Sequence, residues 1–180
     1  MKWYSALILT VLILASGIIA GCGQATSPSA SKIYTSKTYG YSFQYPGDWF
    51  VDVGDELNLR IANSKREAYI TMVITPVPAT GAATPEEILK LYVDNTKSGD
   101  AVYYEQYRLK DEKVLQRDYP AYELIYTHRG KGKHFVWQTR SFVAHSNGKI
   151  YDFGCSAQED KYYQYSSTLD TIYNSLTLQE

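Results

Sequence analysis

The chain has 180 residues, room for one domain with appendages, and 44% of them are hydrophobic, enough for a packed core. Its formal net charge of −1, from 18 basic and 19 acidic residues, gives no electrostatic footprint for nucleic acid, which usually demands a strongly basic face. The 18 tyrosines stand against 5 phenylalanines, a bias toward half-buried strands where the ring packs and the hydroxyl stays wet.

Residues 1–21 read as an export signal. Lys2 supplies a basic start, and an uncharged apolar run extends from Ala6 to Ala20. That run falls short of the roughly 20 residues a membrane-spanning helix needs. It ends in Ile19-Ala20-Gly21-Cys22, which resembles the bacterial lipobox: a small residue precedes the cysteine that is acylated and becomes the new amino terminus. Cys22 is therefore expected to carry palmitate-type chains and tie the protein to a membrane, on the extracytoplasmic or periplasm-facing side. Several acyl chains on one residue anchor stably where one alone binds marginally. Residues 22–33 follow as a tether, with Gly23 to Lys32 (GQATSPSASK) small and polar. Such a coil reaches roughly 17 Å root-mean-square. With Cys22 lipidated, Cys155 stands alone and no internal disulfide can form.

The domain is expected over residues 34–180. Tyr41, Phe43 and Tyr45 share one strand face by their period of two. Pro46-Gly47-Asp48 turns the chain, and Trp49, Val51 and Val53 share a face of the next strand. Leu57 to Asn63 is a further candidate strand, and Ala68 to Val77 is β-branched enough to be a buried one. The period then changes. Thr84-Pro85-Glu86-Glu87 has the form of a capped helix start, and Ile88, Leu91, Tyr92 and Asn95 follow at helical spacing until Gly99. Strands are expected at Tyr103–Leu109, Lys113–Arg117, Ala121–His128, Lys133–His145 and Lys149–Cys155, the last two joined by a tight Asn147-Gly148 turn. Ser156-Ala157-Gln158-Glu159 reads as a second capping box, opening a helix with the stripe Tyr162, Tyr165, Leu169 and Ile172. Leu176 and Leu178 close the chain in extended form. Short connections imply antiparallel pairing, and amphipathic helices must cover a sheet face. The expected class is α+β, a largely antiparallel sheet packed with helices.

The pattern Tyr41-x-Phe43-x-Tyr45-Pro46-x-x-Trp49 resembles the opening signature of the PsbP-like family, whose members share the fold of the Ran-binding Mog proteins. Asn147-Gly148-Lys149-x-Tyr151-x-Phe153, followed by Ala157 and Glu159, is similar to that family's last hairpin and helix start. Leu169 to Leu178 is similar to its closing segment, with Leu176 where phenylalanine is usual. The resemblance implies an α-β-α sandwich. In photosynthetic members the family stabilises the oxygen-evolving complex and influences calcium and chloride retention, and bacterial members are often lipoproteins. No family metal-binding residue can be matched onto this chain.

Two clusters could carry binding chemistry. The first is His128-Arg129-Gly130-Lys131-Gly132-Lys133-His134. If Lys131 centres the turn, His128 and His134 oppose one another across a hairpin and could share a transition metal, although no third ligand is evident. Alternatively Arg129, Lys131 and Lys133 make an anion-attracting tip, suited to phospholipid headgroups. The plain alternative is a solvated hairpin end. The second cluster is Asp48, Asp52, Asp55 and Glu56, whose carboxylates could hold calcium weakly or form a solvated surface. His145 and Asp152 fall on the same side of the last hairpin, and a structural hydrogen bond is the expected use. Tyr103-Tyr104 and Tyr162-Tyr163 should each place one ring in the core and one outside. Cys155, alternating with Tyr151 and Phe153, reads as a buried small hydrophobe. No G-x-S-x-G, H-E-x-x-H or G-x-G-x-x-G motif is present, and no catalytic residue is assigned. The resulting expectation is a non-enzymatic, membrane-anchored accessory or binding module. It would have an unknown envelope protein as partner, no nucleic acid, and no cofactor beyond a possible divalent metal. A small-ligand or calcium/manganese-binding envelope protein is the second reading, and a hydrolase the third.

Overall fold

The computed structural model of the chain describes residues 30–77, 83–98 and 104–179. Five strands come first: β1 (Lys32–Ser36), β2 (Tyr41–Tyr45), β3 (Phe50–Gly54), β4 (Asn58–Ala62) and β5 (Ala68–Pro76). Helix α1 (Pro85–Lys97) precedes β6 (Tyr104–Leu115), β7 (Ala121–Gly130), β8 (Trp137–Ser146) and β9 (Lys149–Gln158). Helix α2 (Tyr162–Asn174) and a short β10 (Thr177–Leu178) complete the fold. The signal segment, Cys22, Gly99 and Tyr103 lie outside the described residues.

Seven strands form one antiparallel sheet in the order β3-β4-β5-β9-β8-β7-β6, and β1-β2-β10 form a smaller one. Strand β9 sits at the middle, pairing with β5 on one side and β8 on the other. Its alternate residues therefore point to opposite layers. Tyr151, Phe153, Cys155 and Ala157 pack with Leu169, Ile172 and Tyr173 of α2 and with Tyr41 and Phe43 of the small sheet. Ile150 packs with Leu89 and Val93 of α1 on the other face, beside Leu124 and Val143. The molecule is thus an α+β sandwich with a helix on each face of the large sheet. Tyr41 and Phe43 are 0% and 1% exposed, so the opening aromatic run is core, as its parity predicts.

Several elements differ from expectation. Strand β1 begins at Lys32, at the end of the expected tether, and pairs with β2 from Lys32↔Tyr45 onward. Trp49 is buried but stands outside β3, whose Val51 and Val53 face solvent. The register slip around Asp52 in this edge strand breaks their shared face with Trp49. On α1 the buried pair is Leu89 and Val93 while Leu91 is exposed, so the packed stripe is turned from the expected one. Residues 104–115 are one long strand with two register shifts, not two strands. Strand β8 begins at Trp137, four residues later than expected. Ser156 to Gln158 belong to β9, and α2 begins at Tyr162 with Lys161 as its N-cap and no side-chain cap.

Candidate functional site

The β7–β8 connection turns at Lys131-Gly132, with the Lys133 amide donating to the Gly130 carbonyl at 3.0 Å. His128 pairs with Trp137, not with His134. Its Nε2 lies 3.1 Å from the Thr139 hydroxyl, and its ring packs at a tilt against Tyr104 and Tyr126, with centroids 4.9 and 5.5 Å apart. Burial pulls this imidazole down from 6.5 to about 4, so it is neutral at physiological pH. The shared metal across the hairpin is corrected by this register: His134 stands in the exposed loop, past the end of pairing. Arg129 reaches Glu105 at 3.6 Å. Lys131, Lys133 and His134 are exposed, and Phe135 beside them is 56% exposed.

The acidic quartet does not converge. Asp52 is held by Arg60 and Arg66, the latter at 2.8 Å. Asp55 accepts the backbone amides of Leu57 and Asn58 at 2.9 and 3.0 Å, which shapes the turn into β4. Glu56 accepts from the Ser36 hydroxyl at 3.1 Å. Among the described residues no group of three or more histidine, cysteine, aspartate or glutamate side chains is arranged to hold a metal.

His145 and Asp152 do share a sheet face, but no bond joins them. Asp152 pairs with Val143 in register, and its carboxylate accepts hydrogen bonds from the Tyr92 hydroxyl of α1, at 3.1 Å, and from Ser141. Burial raises the Asp152 carboxyl above its ordinary range more than these two donors lower it. His145 lines a cleft of about 530 Å³ together with Glu86, Asp118, Tyr119 and Asn147. Its Nε2 is buried and finds no hydrogen-bond partner among the described residues. Burial lowers this imidazole too, with Glu86 pulling the other way. On the opposite sheet face Arg140 makes a forked contact to Glu123 at 2.7 and 2.9 Å, bonds Asp170 at 2.8 Å and lies 3.9 Å from the Tyr173 ring centroid. Cys155 is fully buried and its thiol is pushed well up by that burial, which removes it as a nucleophile. Tyr162 packs against the core while Tyr163 is 92% exposed.

Sequence reasoning missed the Tyr92–Asp152–Ser141 set and the cleft, since both join segments that only the folded sheet brings together. The one available signal was the aspartate at an inward-looking position of an otherwise apolar strand.

A seven-stranded antiparallel sheet with a helix on each face, beside a small sheet of β1, β2 and β10, defines the class. Residues 29–178 match the PsbP family. The chain belongs to the PsbP family. The solution structure of cyanobacterial PsbP (CyanoP) from Synechocystis sp. PCC 6803 is similar, with 21% identity, a TM-score of 0.60, and coverage of 90% of this chain and 99% of that one. LpqN of Mycobacterium tuberculosis, a protein involved in cell envelope biogenesis, is similar at 14% identity and a TM-score of 0.53, covering 87% of this chain and 88% of that one. These likenesses are of fold. No curated protein matches the chain.

Proposed function

We propose that the chain is a membrane-anchored, extracytoplasmic lipoprotein that works as a non-enzymatic accessory or binding module. The observation that carries this reading is Ile19-Ala20-Gly21-Cys22, placed directly after an apolar run and shortly before the first strand of a PsbP-family domain. Two further features support it. Polar groups of the kinds that serve catalysis are engaged structurally: Ser141 and Tyr92 on Asp152, Thr139 between His128 and Ser156. LpqN's involvement in cell envelope biogenesis suggests the same compartment for the partner.

The test is Cys22→Ser in the full chain. Wild-type protein is expected in the membrane fraction and to take up labelled palmitate. The variant should lose the label and leave the lipid phase. A variant that stays membrane-bound to the same extent would refute the anchor. Crosslinking in intact cells should then recover a reproducible envelope protein.

A second reading, a small-ligand or divalent-metal binder, is favoured by His145 alone, whose unpaired Nε2 borders the cleft. Melting the protein with calcium, manganese or zinc should raise Tm if the site fills, because a ligand of the native state adds stability. No shift with any of them removes the metal half of this reading.

A further inference from the structure

The point where the chain enters the domain fixes which end of the sandwich lies near Cys22. The Ala30 backbone packs against the β2–β3 turn: a Cβ on Gly47 would meet the Ala30 carbonyl oxygen at 2.1 Å. That turn leads into Phe50, and the register runs across the sheet from there. Phe50 faces Ala62, Ala62 faces Tyr69, Tyr69 faces Ser156, and Ser156 faces Thr139, two residues inside the start of β8. Entry and the β7–β8 loop therefore share one end of the large sheet. The β4–β5 turn is there as well, because the Gln158 amide donates to the Glu67 carbonyl at 2.9 Å.

This end is basic at its tips and carries exposed aromatic rings. Lys131, Lys133 and His134 project from the loop beside Phe135, and Lys65 and Arg66 project from the β4–β5 turn. Phe50, with the Arg66 guanidinium 6.0 Å from its ring centroid, is 39% exposed. The carboxylates nearby are largely matched. Glu105 takes Arg129, Glu67 takes Lys161, Glu159 takes Lys110, and Asp52 takes Arg60 and Arg66. Asp48 is engaged as well, and Asp160 acts on Lys161. Lys65, Lys131 and Lys133 have no ion pair among the described residues. The opposite end is mixed in sign, with Glu86 and Asp118 beside Arg117 and Lys149.

We propose that the β7–β8 loop is a membrane-docking element for an anionic lipid surface. Lys131 and Lys133 sit among the phosphate headgroups and Phe135 enters the boundary beneath them. This inference rests on the lipid-anchor reading. Between Cys22 and Ala30 the chain can span no more than about 30 Å even when fully extended. Tethering makes a contact that would be weak in free solution effectively intramolecular, so two lysines and one ring are enough.

Full-length lipidated protein reconstituted into vesicles provides the test. One set is phosphatidylcholine alone and the other contains an equal share of phosphatidylglycerol. An environment-sensitive fluorophore is placed on His134→Cys, and on Asn147→Cys at the far end as a control. Cys155 is buried and does not compete for the label. In the phosphatidylglycerol vesicles the label at residue 134 is expected to shift to the blue and be quenched several-fold by bilayer-borne quenchers. In phosphatidylcholine that response should fall sharply, and Lys131→Glu with Lys133→Glu should abolish it. The label at residue 147 should remain water-like throughout. Protein that stays anchored while residue 134 remains water-like overturns this inference alone. Equal responses at residues 134 and 147 also overturn it. A response confined to native membranes means the loop meets an envelope protein and rules out lipid docking. Protein that elutes from the vesicles refutes the anchor and the docking together.

Discussion

Trp49 is only 5% exposed although the strand that follows it faces solvent. It packs in the core shared by the small sheet and α2, alongside Tyr41 and Phe43. Trp49→Ala should cost roughly 3–5 kcal/mol, the usual range for deleting a buried large aromatic, read from urea denaturation midpoints. A stable variant would mean the ring is peripheral. His128 and Asp152 share the face under α1 and respond to acid in opposite senses. With the His128 imidazole held near 4, the folded chain binds fewer protons than the unfolded one below pH 6.5. Stability present above pH 6.5 is therefore lost as pH falls toward 4, by about 2–3 kcal/mol for a shift of this size. Asp152 is raised, so its stabilising share is complete at the lowest pH and fades as pH rises through its folded value. His128→Gln should flatten the acid loss, and Asp152→Asn should steepen it, in melts recorded from pH 7 down to pH 4. Parallel curves for all three proteins would disprove the assignment.

Local chemistry was legible at one helix start and misleading at the other. At α1 the Thr84 hydroxyl accepts the Glu87 amide at 3.2 Å while the Glu87 carboxylate accepts the Thr84 amide at 2.8 Å, as the sequence predicts. Thr84→Ala should cost about 1 kcal/mol, measurable as a fall in Tm. A neutral result would show that α1 is held by packing alone. Ser156 offers the same four-residue pattern, yet its hydroxyl bonds Thr139 at 2.8 Å inside a strand. Pairing with β5 and β8 on both sides claims residues 156–158, and sheet bonds from distant segments outweigh a local preference. The same distinction explains the candidate site. The basic run around Lys131 could be read directly, but the histidine register depended on where β8 begins. The stretch Gly132 to Val136, exposed as far as Phe135, carries no strand pairing, which alternation alone could not show.

For the molecule as a whole, antiparallel hairpins and two amphipathic helices were enough to give the class. The placement of β9 between β5 and β8 was not, since nothing local reports which strand lies innermost. That placement sets a gradient of stability. Residues of β9 are buried and bonded on both sides, whereas β3 is short, slipped in register and open along one edge. Hydrogen exchange should find the β9 amides released only by global unfolding and the β3 amides released by local opening. Equal protection of the two would contradict this. The small sheet extends the point to order along the chain. Thr177 pairs with Ser42 and Leu178 with Tyr41, so the second edge of β2 is completed from 135 positions further on. During synthesis β2 therefore waits with that edge open while every other strand is made. The core around Tyr41 and Phe43 closes only once β10 has left the ribosome.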